Sequence, residues 1–381
     1  MKKKERSQGP EFTRREFLKN MGIAAGTACF AGLEILSPEQ IFAQVLVPKE
    51  INIGTFAPSH CAVPFVYARL KGYYKDENLN VNLINYPDMP SIAKDLAGGK
   101  LDFGQLITNL PLVMHTGSKP FESAVPMVIL AVTGVNGAAL MVRKGANITS
   151  PADFKGKTLS NHSKLSVHHL INRMFLEHHK IDYEKDIQFK ITELDNVVDA
   201  MKNAEVDAFV MPEPKDALVE HLGLADVFML SKYIWPNHPC CVLTAKREYF
   251  DKNKGLAETV ARAITRAALS ANEAATREEI IDVLQSSPDY KYDKVPKAVL
   301  MKAFTPGRSD FYPFPYQSMA RLIIEKMKEY KLLPAETNNK QLAEDVFLSD
   351  FSRKIIKDLG ATPPKSNYRP EKILGVEHKY S

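Results

Sequence analysis

The sequence predicts an α/β protein of two lobes, joined by two crossover segments with a ligand cleft between them. Three observations carry that prediction. Strand-like alternation recurs at short spacing with helical segments between, the order that builds parallel α/β layers. The chain has 381 residues, 45% apolar and 25% charged, ordinary fractions for a globular protein and enough material for about two domains. Two apolar runs near the middle, and a return strand about a hundred residues later, supply the crossings.

Glu50 to Phe56 alternates like a strand, and Ala57-Pro58-Ser59-His60 breaks it. Val63 to Leu70 reads as a helix stopped by Lys71-Gly72. A second strand over Val81 to Asn85 precedes a helical Ser91 to Leu96, closed by Gly98-Gly99. Leu101 to Gln105 is a third strand, leading into a helix from Asn109 to His115. The apolar runs are Met127 to Val132 and Ala138 to Val142. Ser150-Pro151 has the form of a helix start, with Ser as cap and Pro in the first turn. Thr158 to Ser160 is a short strand and Ser163 to His179 a long helix. Strands at Ile187 to Thr192, Asp207 to Met211, Val227 to Leu230 and Cys241 to Ala245 complete the block, with helical Val197 to Asn203 among them. From Asp251 the chain is mainly helical: Leu256 to Glu273, Arg277 to Gln285, Lys297 to Phe304 and Tyr316 to Tyr330. The first lobe therefore comprises residues 48–142 plus 244–340, the second 143–243, and residues 341–381 form a C-terminal extension packing on the lobes.

Composition excludes several classes. Lys and Arg number 50 against 45 Asp and Glu, a net charge of +5, too weak and too dispersed for a nucleic-acid surface. Mean hydropathy is −0.22, and there is no apolar run of about 18 residues to span a membrane.

The front of the chain reads as an address. Thr13-Arg14-Arg15-Glu16-Phe17-Leu18-Lys19 follows a Lys-rich start and precedes a mildly apolar Met21 to Leu36. That order is similar to a twin-arginine export signal, residues 1–43, cut between Ala43 and Gln44. It implies the twin-arginine translocase as a partner and a periplasmic destination. Cys29 raises the alternative of lipid anchoring. Of Cys61, Cys240 and Cys241, the last two are neighbours, and a bridge between neighbours is strained; free, buried thiols are expected.

Motifs for catalysis are missing. There is no G-x-G-x-x-G, Walker loop, G-x-S-x-G or H-E-x-x-H, so the chain reads as no enzyme, with no cofactor. Candidate binding residues lie where strands end and helices begin. Ser59 and His60 follow the first strand; Gln105, Thr108 and Asn109 follow the third; Asn136 stands at the end of an apolar run. His162 and His168 flank the start of the long second-lobe helix, whose positive end favours an anion. Glu213 is held between Pro212 and Pro214 after a fully apolar strand, aimed outward from the strand end. Its partner could be a metal ion, an N–H-bearing ligand or a basic side chain of the protein. Trp235, the sole tryptophan, serves either packing or binding.

The segment order resembles one family. Gly72-Tyr73-Tyr74, Ala97-Gly98-Gly99-Lys100-Leu101-Asp102-Phe103-Gly104, Val125-Pro126-Met127 with Asn136-Gly137, Glu213-Pro214, Ile234-Trp235 with Pro239, Phe250-Asp251-Lys252-Asn253, Leu332-Leu333-Pro334 and Pro370 to Val376 fall in the order of solute-binding proteins of the nitrate/sulfonate/bicarbonate importers. The nitrate- and bicarbonate-binding branch is the better match. The resemblance implies a fold like the type II periplasmic binding proteins, and a receptor that closes on a small oxyanion or polar organic solute. Permease and ATPase subunits are the partners it implies. His168 looks like the pocket histidine of that branch and Glu213 like its residue after the second-lobe strand, where calcium could accompany bicarbonate. Asp88-Met89-Pro90 stands where the branch has a tryptophan, so Met89 takes that position, and the expected glutamine is displaced to Gln105 or replaced by Ile107. An enzyme on the same scaffold, similar to pyrimidine synthases, and a sensory ligand-binding module are the alternatives.

Overall fold

The computed structural model describes residues 50–381. The twin-arginine motif, the cleavage position, Cys29 and the segment 1–43 all lie outside the described residues. Among the described residues, no helix is long and apolar enough to cross a membrane.

Two mixed sheets divide the chain. The first half of the chain contributes β1 (Glu50–Thr55), α1 (Val63–Leu70), α2 (Tyr73–Asp76), β2 (Asn80–Asn85), α3 (Met89–Ala97), β3 (Phe103–Ile107), α4 (Asn109–Thr116) and β4 (Met127–Asn136). Next come β5 (Ala138–Arg143), β6 (Thr158–Asn161), α5 (Val167–His178), β7 (Gln188–Ile191), α6 (Val197–Lys202), β8 (Ala208–Pro212), α7 (Lys215–His221) and β9 (Ala225–Leu230). The chain then returns through α8 (Ser231–Ile234) to β10 (Pro239–Lys246). After it follow α9 (Arg247–Lys252), α10 (Lys254–Asn272), α11 (Arg277–Gln285), α12 (Lys297–Ala303), β11 (Ser309–Asp310), α13 (Gln317–Glu329), α14 (Asn339–Val346), α15 (Ser349–Asp358) and the hairpin β12 (Glu371–Ile373) and β13 (Val376–His378). The first sheet has the order β11-β4-β10-β3-β1-β2 and the second β7-β6-β8-β5-β9.

Strands β1, β2 and β3 pair in parallel, whereas β10 runs antiparallel to both β3 and β4. The layers are therefore not wholly parallel, because the strands that return from the other lobe enter the sheet reversed. The crossings also sit elsewhere than the sequence suggests. They were expected near Val142 and Leu243, yet β5 pairs with β8 and β9 in the second sheet, and all of β10 belongs to the first. The switches fall at Asn136-Gly137 and between Leu230 and Pro239. The reason is that β4 and β5 are buried along almost their whole length, so hydropathy is blind to the break between them.

Helix α10 shows how the first lobe closes. Ala257, Val260, Ala261, Ile264, Ala267, Ala268 and Ala271 are buried at the three- and four-residue spacing of one helical face. Their small side chains let α10 lie close on α1. The helix expected after Ser150 is only a 3-10 turn, Pro151–Phe154. Its capping box is present, but Lys155 is already extended, so the cap closes a turn and propagates nothing.

The C-terminal segment was read only as an extension. It forms α14 and α15, which pack on α13 and α10 respectively, and the hairpin. Trp235 is fully buried, and its Nε1–H donates to Glu371 of β12 at 2.9 Å.

Candidate functional site

The ends of β1 and β3 hold a polar patch in the first lobe. Beyond β1 the chain turns through Ser59, whose Oγ donates to the Phe56 carbonyl at 2.7 Å and accepts the Ala62 N–H at 3.3 Å. Gln105 on β3 supports that turn: its Oε1 accepts from Thr55 Oγ1 at 2.7 Å and from the Phe56 N–H at 3.0 Å, and its Nε2 reaches Ser59 Oγ at 3.4 Å. Thr108 donates both its N–H and its hydroxyl to the Cys240 carbonyl, each at 3.0 Å. Asn109, the first residue of α4, is completely buried, and neither Nδ2 nor Oδ1 has a hydrogen-bond partner among the described residues.

The second lobe answers with histidines. Ser166 caps α5 by accepting the His169 N–H at 3.2 Å, which holds His168 in the first turn. His168 is buried; its Nδ1 lies 3.1 Å from Nε2 of half-buried His162, and its Nε2 lies 3.9 Å from Cys240 Sγ. Thr108, the residue before Asn109, and His168 thus both meet Cys240 of β10, one from each lobe. His169 turns away, against Tyr183 and Phe189, and His178 is exposed. Burial favours the neutral form of His60, His162, His168 and His169. It lowers His60 to about 4 and His162 to about 4. His168 is lowered further, by burial first and then by the neighbouring imidazoles. The patch is a set of neutral donors and acceptors beside a helix N-terminus, not a cationic socket.

His60 sits at the junction. Its ring packs against Gly137, where an added Cβ would stand 2.1 Å from Nε2, and its backbone N–H donates to the backbone carbonyl of Glu213 at 3.1 Å. Gly137 also has φ +72, the left-handed region that a side chain disfavours. Gly137→Ala is therefore expected to cost about 2–5 kcal/mol, combining left-handed strain with overpacking. A urea midpoint indistinguishable from that of the parent would contradict this.

Glu213 is buried, and both carboxylate oxygens are engaged. Oε2 accepts the Ala217 N–H at 3.0 Å, and Oε1 is bound by Arg308. Arg308 in turn reaches Glu220 at 2.9 Å. Of the partners open to Glu213 from sequence, the structure contains the basic side chain. Calcium takes about 6–8 oxygen ligands, and that set is not assembled around a carboxylate already occupied by a guanidinium; the group does not fit here. Asn136 is likewise engaged, donating to Asp310 at 2.9 Å and accepting the Asn237 N–H at 2.9 Å, and it braces the crossover. Met89 opens α3 at a half-buried position, and Trp235 lies under the C-terminal hairpin. Ser59, His60, Gln105, Thr108, Asn109, His162 and His168 thus gather near the junction, whereas Met89 and Trp235 stand apart.

A crevice of about 80 Å³ opens beside Ser59, lined also by Phe56, Tyr86, Leu194, Pro212 and Lys215. At a liquid share of about 30 Å³ per water, it holds roughly two or three waters. Sequence reasoning missed Arg308, because nothing local couples Pro306-Gly307-Arg308 to a glutamate 95 residues away. It also treated the thiols only as packing. Cys61, Cys240 and Cys241 are free and buried as expected, but they converge on His60 and His168.

Comparison with known proteins follows the same lines. The pattern of the NMT1-like family matches residues 46–285. The nitrate import ATP-binding protein NrtC of Synechocystis sp. is 26% identical over 63% of this chain and 37% of its own length. The nitrate/nitrite binding protein NrtA of Nostoc sp. is 22% identical over 80% of this chain and 76% of its own. The chain thus spans little more than a third of the first relative. In structure, the periplasmic nitrate-binding protein NrtA from Synechocystis PCC 6803 superposes with a TM-score of 0.78 at 19% identity, covering 87% of this chain and 96% of that one. The two-lobed α/β fold is therefore shared with it.

Proposed function

The chain belongs to the NMT1-like family, and from that membership we propose that it is the solute-binding component of an ATP-driven importer. It captures a small oxyanion or polar organic solute of the nitrate, bicarbonate and sulfonate class by lobe closure, and it catalyses nothing. Its station is the periplasm, reached by the twin-arginine translocase, and its partners there are permease and ATPase subunits.

One observation carries the reading. Asn109 presents a buried amide whose two polar atoms have no partner among the described residues, and a buried polar group without a partner costs about 1–3 kcal/mol. A bound solute offsets that cost. Because the amide offers both N–H donors and an acceptor oxygen, it suits a solute that carries both kinds of group, such as bicarbonate or a hydroxylated organic acid, better than nitrate, which only accepts. Ser59, Gln105, Thr108, His162 and His168 are the remaining contacts in this proposal, with the positive end of α5 facing the negative charge.

Mass spectrometry of solute released from freshly purified, denatured protein is the test of identity. A small oxyanion or polar organic acid at about one per chain is expected; an apolar molecule, such as a fatty acid, would overturn the reading. Asn109→Leu separates site from scaffold. It removes two unpaired polar atoms, so stability should hold within about 1 kcal/mol while affinity falls roughly 10- to 100-fold, the worth of one or two hydrogen bonds. Loss of stability with affinity retained would remove Asn109 from the site.

A further inference from the structure

We propose a buried site for a thiophilic divalent cation of the zinc type, ligated by His60, Cys61 and Cys240 and completed by His168 from the opposite lobe. The proposal shares His168 and His162 with the proposed solute contacts, and metal binding is read out apart from solute binding.

The donor atoms of His60, Cys61 and Cys240 all lie within 4.8 Å of one another, and all three residues are buried. Cys61 Sγ stands 3.2 Å from His60 Nε2, and Cys240 Sγ stands 3.9 Å from His168 Nε2. Around tetrahedral zinc, with bonds of about 2.0–2.3 Å, neighbouring donors stand roughly 3.3–3.8 Å apart. The separations of 3.2 and 3.9 Å fall at the edges of that range, and none among His60, Cys61 and Cys240 exceeds it by more than about 1 Å; His168 has to move toward the other three to complete the shell. The chemistry also selects the metal: two thiols and two imidazoles without a carboxylate suit zinc or a softer ion and exclude calcium and magnesium. Two thiolates neutralise one divalent cation, and two imidazoles add no charge, so the loaded site is neutral in an interior where an unpaired charge would be costly.

The surroundings support the ligands. His168 is held through Nδ1 by His162 at 3.1 Å, the outer contact that fixes ring orientation at metal sites. Gly134 and Gly137 leave space for the His60 ring and the Cys61 thiol, which an added Cβ at either position would meet. Cys241, with Sγ 3.9 Å from that of Cys240, is the neighbouring thiol outside the set. An ion held here ties the first turn of α5 to β10 and to the turn after β1, and so braces the two lobes against each other.

The test uses the full chain, kept reduced, stripped with chelator and free of added solute. Titration with Co²⁺ should give one ion per chain, with intense tetrahedral visible bands and thiolate-to-cobalt charge transfer, displaced by Zn²⁺. Cys61→Ser and Cys240→Ser should each weaken Zn²⁺ binding more than about 100-fold, beyond the loss of an outer contact. Cys241→Ser should leave it unchanged. Melting curves of the metal-free variants check folding. Zinc-edge absorption of the parent protein provides a measurement without mutation, expected to show sulfur at about 2.3 Å and nitrogen at about 2.0 Å. Failure to bind one ion per chain, a shell of oxygen and nitrogen only, or affinity unchanged in both serine variants would overturn the proposal. Solute affinity measured in chelator is a separate readout, so either reading can fail alone.

Discussion

Acidification from pH 7 to pH 5, in the presence of chelator, should remove several kcal/mol of folding stability. The folded chain holds buried His60, His169 and His238, and half-buried His162, as neutral rings. Burial lowers His60 and His162 to about 4 and His169 and His238 to about 3. Unfolded, each titrates near the ordinary 6.5. Below pH 6.5 the unfolded chain therefore binds protons that the folded chain refuses, and stability falls as pH falls. By pH 5 a histidine held at about 4 contributes a loss of about 2 kcal/mol. Four such residues together approach the whole stability of an ordinary domain, about 5–15 kcal/mol. The loss begins below pH 6.5 and ends only when the folded rings accept protons themselves, near pH 4 and below. Urea unfolding at a series of pH values measures it. A midpoint that stays flat between pH 7 and 5 would contradict the burial of these rings.

Arg308→Ala should be the most damaging of the single charge deletions, at about 3–5 kcal/mol. Glu213 is fully buried, and Arg308 is its basic partner. Truncating the arginine leaves one carboxylate without a counter-charge and frees Glu220, whose remaining partner is Lys302 at 2.9 Å. Glu213→Gln should cost less, about 1–3 kcal/mol. Its amide oxygen can still accept the Ala217 N–H, and Arg308 keeps Glu220. The double change Arg308→Met with Glu213→Leu should recover much of the loss, because apolar pairs often replace buried ion pairs without penalty. Solute affinity should respond to Glu213→Gln less than stability does. If Arg308→Ala lies within about 1 kcal/mol of the parent, the pair is not the brace described here.

The periodic parts of the fold were legible. Alternation marked β1 and β2, and glycine stops marked the ends of α1 and α3, since these signals are local. The crossings were less legible. Met127 to Val142 is apolar on both sides of Asn136-Gly137, and hydropathy has no contrast where both strands are buried. The antiparallel entry of β10 depends on topology and leaves no local mark. The places of Ser59, Asn109 and His168 at a strand end or a helix start were legible because polar residues there stand out against apolar neighbours. What Glu213 pairs with was not, since Arg308 lies in a distant loop. Trp235 illustrates the limit from the other side: its identity drew notice, but Glu371, which accepts its N–H, comes 136 residues later. Cys61 and Cys240 are also distant in sequence, and only the folded chain brings them to His60 and His168.

Titration calorimetry in chelator, with bicarbonate, nitrate, a short alkanesulfonate and a small polar organic acid, tests the central claim most directly. The account predicts one-to-one binding of at least one of them to the parent protein. It predicts affinity lowered about 10- to 100-fold in Asn109→Leu, with the melting temperature of that variant unchanged. Absence of binding by all four, or equal affinity in parent and variant, would contradict it.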